Sequence, residues 1–211
     1  MYKLYIFDLD GTLLDSDRML LETFRELYKD FRPDYFPSDD HIYSFSGPQI
    51  TETLQKEFPS FDQKFILEKY RQCSTKNYDK YVTLYPGAYE LLKNMKNKGI
   101  NFAIVTNKHR YATDYSYKIC GIDNLDIFTV CADEVKHLKP SGDGIIKCLE
   151  HFGISNKREV IYIGDGQIDF DTAQNAGVDF GYVTWSKRKV NKEAKIDLTI
   201  DSYPSFAGEI L

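Results

Sequence analysis

Tyr5-Ile6-Phe7-Asp8-Leu9-Asp10-Gly11-Thr12 is an apolar run that ends in two acids spaced by one residue and followed by a glycine. Aromatic and β-branched residues suit a pleated chain, and a run that is apolar at every position suits a strand buried on both faces. Residues i and i+2 of extended chain project to the same side. Asp8 and Asp10 are therefore expected to share the mouth of a sheet, with Gly11 free to adopt a turn that most residues resist. The tetrapeptide alone is not specific, because Asp-x-Asp-Gly also occurs in calcium loops and ordinary turns.

Leu4 to Phe7 is the first of five short apolar runs; the others are Phe102 to Val105, Phe128 to Cys131, Val160 to Ile163 and Phe180 to Val183. Between the later runs lie helical patterns: Ala88 to Lys98 with Leu91, Leu92 and Met95 on one face, His109 to Cys120, Gly142 to Phe152, and Phe170 to Asn175 with Gly177 just beyond. Strands alternating with helices predict an α/β fold, a doubly wound parallel sheet whose ligands bind outside the carboxyl ends of the strands. About seventy residues after the first strand break the alternation and offer no predicted strand. There Leu20, Phe24, Leu27, Tyr28 and Phe31 recur at helical spacing, as do Phe65, Ile66, Tyr70 and Cys73. The expected organisation is a core from residues 1–14 and 84–211 with an inserted helical cap from 15–83. Leu13 to Asp17 and Thr83 to Gly87 are its expected hinges. Ser46-Gly47-Pro48-Gln49 is the candidate cap loop facing the site, and Arg18 a candidate contact for an anion at the entrance.

Two more segments end predicted strands on the same sheet edge as Asp8. Ile104-Val105-Thr106-Asn107 ends one, and Ile161-Tyr162-Ile163-Gly164-Asp165-Gly166-Gln167-Ile168-Asp169 another. Asp165 and Asp169 are four apart, which places them on one face if a helix starts there. Lys139-Pro140 follows a third strand. Four converging carboxylates need a counter-charge, since two unit charges ~4 Å apart repel by ~4 kcal/mol at an effective dielectric of 20. Oxygen-only donors favour Mg²⁺, held by carboxylates together with a substrate phosphate. An EF-hand begun at Asp8 would need a Glu where Met19 stands, so that alternative is rejected.

Composition narrows the classes further. The 211 residues are 42% hydrophobic, enough for one core or a core plus a smaller domain. A formal net charge of −5 with acids and bases interspersed argues against nucleic acid as a partner. The densest basic run, Lys187-Arg188-Lys189, reads as a solvated turn. Cys73, Cys120, Cys131 and Cys148 form no C-x-x-C pair and read as reduced core thiols; the four histidines show no zinc spacing. No apolar run approaches the ~18 residues of a membrane span, and the N-terminus reads as a strand rather than a leader, so the cytoplasm is the expected compartment.

In order and position, these four segments resemble the signature motifs of the haloacid dehalogenase superfamily, best its phosphoglycolate-phosphatase-like branch with a helical cap. The resemblance covers nearly the whole chain. It implies that Asp8 is a nucleophile that becomes phosphorylated, and that Asp10 is the general acid on the leaving oxygen and then the base toward water. It implies Thr106 and Lys139, with Asn107 beside them, at the substrate phosphate. It implies Mg²⁺ on Asp8, on Asp10 through its main-chain carbonyl and on Asp165, with Asp169 a more distant ligand or an orienting group. Gly166 replaces the Ser usual after the motif's first acid.

The expected activity is a phosphatase acting on a small phosphorylated metabolite: phosphoglycolate first, then sugar phosphates, nucleoside monophosphates or pyrophosphate. A phosphosugar mutase of the β-phosphoglucomutase kind would use the same aspartyl phosphate, and a non-catalytic scaffold would only bind phosphorylated ligands. The presence of Asp8, Asp10, Lys139 and Asp165 weighs against the scaffold. A monomer and a homodimer are both compatible with the chain.

Overall fold

The computed structural model describes residues 1–211. Strand β1 (Leu4–Phe7) is buried at all four positions. The chain then turns and forms β2 (Leu14–Asp15), which pairs antiparallel with β3 (Thr83–Leu84). Between these two lie α1 (Asp17–Phe31), α2 (Asp39–Tyr43), α3 (Ile50–Glu57) and α4 (Gln63–Tyr81). The chain continues through α5 (Ala88–Asn97), β4 (Asn101–Val105), α6 (Arg110–Cys120), β5 (Thr129–Val130) and α7 (Asp143–Phe152). It closes with β6 (Val160–Gly164), α8 (Gln167–Ala176), β7 (Asp179–Val183), β8 (Leu198–Ile200) and α9 (Tyr203–Ile210). The main sheet has six strands in the order β5-β4-β1-β6-β7-β8, all parallel.

Alternation along the strands divides the interior in two. Tyr5, Phe7, Ile104, Ile161 and Ile163 point to one face and pack with Leu91, Leu92 and Met95 of α5, Tyr117 of α6 and Phe206 of α9. Leu4, Ile6, Ala103, Val105 and Tyr162 point to the other, against Ile145 and Cys148 of α7 and Ala173 of α8. Each fully buried side chain of this size contributes roughly 1.5–3 kcal/mol. β1 lies between β4 and β6 with Phe7 opposite Ile104 and Ile163, so the three strands end level and their following residues meet at one edge.

Helices α1 to α4 enclose a separate apolar cluster. Leu20, Phe24, Leu27 and Tyr28 of α1 meet Ile66 of α4, Leu54 of α3 and Phe45 and Phe58 from the connections. α1 opens on an acid, Asp17, which suits the positive end of a helix dipole. α4 is capped by Asp62, whose side chain accepts from the Phe65 N–H at 2.9 Å.

The interval read as free of strands contains β2 and β3. Two residues are too few to show alternation, and their pairing joins positions 14 and 84, which no local pattern can register. β8 and α9 were likewise not among the expected elements. The helix expected from Phe170 begins at Gln167, with Asp169 in its first turn. No helix is long and apolar enough to cross a membrane.

Candidate active site

The residues after β1, β4, β5 and β6 meet where the sheet edge faces α1 and α4. Those after β1, β4 and β5 border a cavity of about 490 Å³, lined from the sheet side by Asp8, Asp10, Thr106, Asn107 and Lys139 and from the helical side by Ser46, Gly47 and Pro48. The loop expected to face the site is therefore on its wall. Arg18 is exposed and lies over the Tyr81 ring, 4.6 Å from its centroid.

Three carboxylates, Asp8, Asp165 and Asp169, bring oxygens within 4.8 Å of one another, all buried. Lys139 lies among them, its Nζ 2.5 Å from Asp8 Oδ1, 2.7 Å from Asp169 Oδ1 and 3.0 Å from the Tyr162 hydroxyl. The Tyr162 proton is shared between the Val105 carbonyl at 3.1 Å and Asp169 Oδ1 at 3.2 Å. Asp169 Oδ2 accepts from the backbone N–H groups of Asp165 and Gly166, at 3.0 and 3.3 Å. Both Asp169 oxygens are thus engaged, whereas Asp8 Oδ2 and Asp165 Oδ1 carry no hydrogen bond. Gly164 permits this approach, since a Cβ there would stand 2.3 Å from that of Asp169.

Burial, with Asp169 and Asp165 nearby, outweighs Lys139 and pushes the Asp8 carboxyl up to about 8. Burial also raises Asp165, to about 6, against the help of Arg188. Burial opposes the charge of Lys139, but Asp169 and Asp8 overcome it and hold the ammonium protonated far above the usual lysine range. Three carboxylates here face two cations, Lys139 and an Arg188 shared with Asp17, so the cluster is only partly neutralised by the protein itself. Oxygen-only donors, two of them without hydrogen bonds, fit a hard divalent cation, with Asp8 and Asp165 offering ligand atoms and Asp169 holding the lysine and the turn.

Asp10 stands apart from this cluster. Lys108 Nζ bonds both its oxygens at 2.8 Å and lies 4.8 Å from the centroid of the Tyr78 ring. Burial works against the Asp10 charge, but Lys108 and Ser16 outweigh it and hold the carboxyl below its ordinary value. The two acids of the Asp-x-Asp pair line one cavity under the control of different lysines. Of the carboxylates expected to converge, three do so through their side chains.

Thr106 is buried, and its Oγ1 accepts from the Lys108 N–H at 3.1 Å. Asn107 is fully engaged with main chain: its Oδ1 accepts from the Lys139 N–H at 2.9 Å, and its Nδ2 donates to the carbonyls of Lys139 and Gly47 at 3.1 and 2.9 Å. It clasps the helical insert to the sheet edge.

The basic run is not the solvated turn expected from its composition. Arg188 is half-buried, its Nη1 2.5 Å from Asp165 Oδ2 and its Nη2 2.5 Å from Asp17 Oδ1. Ser186 Oγ donates to the same Asp165 oxygen at 2.8 Å. Lys187 reaches the Tyr43 hydroxyl at 2.9 Å. Local charge density does not reveal that one arginine of a basic run turns inward to acids 171 and 23 positions away. Lys108 and Tyr162 were not expected either. Lys108 had one signal, a cation two residues after a strand-end threonine; Tyr162 had none, being one more apolar position of its strand.

Comparison with known proteins agrees with this geometry. The profile of the haloacid dehalogenase-like hydrolases matches residues 5–183. The chain is 30% identical over 198 residues to the pyrophosphatase PpaX of Bacillus cereus, covering 93% of this chain and 90% of that relative. The structure superimposes on that of a haloacid dehalogenase-like hydrolase from Bacteroides fragilis with a TM-score of 0.81 and 26% identity, over 98% of this chain and all of that one. It shares its fold with a β-phosphoglucomutase-like protein of Thermotoga maritima, at a TM-score of 0.79 and 19% identity over 99% of each chain.

Proposed function

This chain belongs to the haloacid dehalogenase-like hydrolase family, and we propose that it hydrolyses a small-molecule phosphomonoester in a Mg²⁺-dependent reaction that passes through a phosphorylated Asp8. The observation that carries this reading is the Asp8 carboxylate on the cavity wall. One of its oxygens is held by Lys139 at 2.5 Å, and the other is without a hydrogen bond.

The reaction divides into two displacements at phosphorus. In the first, Asp8 attacks, its new O–P bond forms, and the ester P–O bond breaks on the opposite side. The departing alkoxide needs a proton, which Asp10 delivers. In the second, water attacks the acyl phosphate, Asp10 takes the water's proton, and inorganic phosphate leaves as the Asp8 carboxylate is restored. Phosphoryl transfer asks chiefly for alignment and for positive charge around the equatorial oxygens. Lys139 supplies one such charge, the Thr106 hydroxyl a hydrogen bond, and Tyr162 and Asp169 keep the lysine aimed at Asp8. Asp8 and Asp165 would hold Mg²⁺, which when bound screens the repulsion between carboxylate and phosphate. Helices α1 to α4 act as the cap that shields the intermediate from bulk water.

Phosphate release from a panel of phosphoesters, with Mg²⁺ and with chelator, tests the proposal. Turnover is expected to require the metal and to fall at least ~10³-fold in Asp8→Asn, in line with the loss of a reacting group. Native rates in that variant would exclude the covalent route. Phosphate retained in a bisphosphate-dependent rearrangement would instead favour a mutase.

A further inference from the structure

The cavity is far more aromatic than a phosphate site requires. Away from the acids its walls are built by Phe45, Ile50, Tyr70, Tyr78, Tyr111 and Tyr115, contributed by α4, α6, the start of α3 and the loop before it. Tyr70 packs on Phe24 of α1 at 5.7 Å between centroids, and Tyr78 lies 5.9 Å from Tyr115. Tyr70 and Tyr78 are thus held by packing before anything binds, while Tyr111 and Tyr115 are exposed at the rim.

The cations show a complementary pattern. The two lysines on the wall are each engaged by carboxylates, Lys139 by Asp8 and Asp169 and Lys108 by both oxygens of Asp10. Arg71 lies over the Tyr111 ring at 5.7 Å, on the exposed side of the cavity. One phosphoryl group can be neutralised at the Asp8 end. A second, as in pyrophosphate, would place further charge against tyrosine and isoleucine without an uncommitted buried cation, an arrangement that desolvation disfavours. A two-carbon acid would leave most of the 490 Å³ unfilled. That volume lies in the ordinary range for sites that enclose a whole organic molecule.

We propose that the alcohol released carries a heteroaromatic ring, so that the substrate is a nucleoside-type monophosphate. The ring lies against the tyrosines of α4 and α6 and the phosphate against Lys139. Rings stack on aromatic side chains largely irrespective of base identity, so purine and pyrimidine esters are both accepted. Ser46, Ser74 and Thr75 on the same walls offer hydroxyls to the polar part of the leaving group. This rests on the phosphomonoester reading above.

The full-length enzyme with Mg²⁺ is assayed on uridine and guanosine 5′-monophosphates, phosphoglycolate, pyrophosphate and glucose 6-phosphate. The nucleotides are expected to have kcat/KM at least ~10-fold above the other three, the scale of one well-stacked ring. That preference should shrink by roughly the same factor in Tyr70→Leu, and also in Tyr111→Ala, whose exposed position spares the fold. Calorimetry on Asp8→Asn should show the nucleotides binding at least ~10-fold tighter than phosphoglycolate. Turnover that is abolished in Asp8→Asn yet favours phosphoglycolate, pyrophosphate or glucose 6-phosphate overturns this inference and leaves the phosphatase reading standing. Native rates in Asp8→Asn, or no phosphate released from any ester, defeat that reading and this inference with it.

Discussion

Asp8 and Asp10, two positions apart, are under opposite electrostatic control. Asp8 shares a buried space with two other acids and is pushed up to about 8, whereas Lys108 and Ser16 hold Asp10 below the normal carboxylate value despite its burial. Asp10 must carry a proton to release the alkoxide and be ionised to activate water; where the second step limits turnover, the rate falls as pH drops through its pKa, and Lys108 keeps that limb at low pH. Lys108→Met removes the cation and leaves the burial. The acidic limb of the kcat profile with Mg²⁺ present is then expected to move upward by about 1–3 pH units, the usual effect of an adjacent opposite charge. A limb that stays where it is would separate Asp10 from the proton transfer.

Single side chains also join the elements. Arg188, from the connection between β7 and β8, ties the residue that follows β6 to the first residue of α1. Gly11, in the turn between β1 and β2, makes room for this pair: it sits at φ +87°, and a Cβ there would lie 2.2 Å from Asp165 Oδ2 and 2.5 Å from Arg188 Nη1. Arg188→Ala would leave Asp17 and Asp165 buried without their partner, a loss that typically costs about 3–5 kcal/mol. Urea unfolding in chelator should show it as a lower midpoint at unchanged slope. A change below about 1 kcal/mol, the scale of an exposed pair, would mean that water reaches both acids.

Across the whole molecule the interior divides into three apolar clusters, two against the faces of the sheet and one within α1 to α4. The carboxylate cluster joins residues 8, 165 and 169, which only folding brings within 4.8 Å, so a cation bound there stabilises the folded state alone. At 100 times its dissociation constant Mg²⁺ should add about 2.7 kcal/mol, or about 5–11 °C in melting temperature for a chain of this size. Chelator should reverse the increase and Asp165→Asn should abolish it; a melting temperature indifferent to Mg²⁺ in the native chain would place the ion elsewhere.

Much of the fold was legible from the amino-acid order, because strand burial and helix faces are local patterns. Leu4 to Phe7 is apolar at every position, and Leu20, Phe24 and Leu27 recur at helical spacing, so the parallel sheet and the helical insert follow from the hydrophobic period alone. Asp8, Thr106, Lys139 and Asp165 are expected at one sheet edge because parallel strands end there and each of these residues follows a predicted strand, and the structure places all four on that edge. The partners of those groups were decided by tertiary structure. Lys108 on Asp10, Tyr162 on Lys139 and Arg188 on Asp165 and Asp17 join positions 98, 23, 23 and 171 residues apart. An ion pair or hydrogen bond depends on distance in space, and residues so far apart along the chain acquire that distance only when the sheet and the helices have packed.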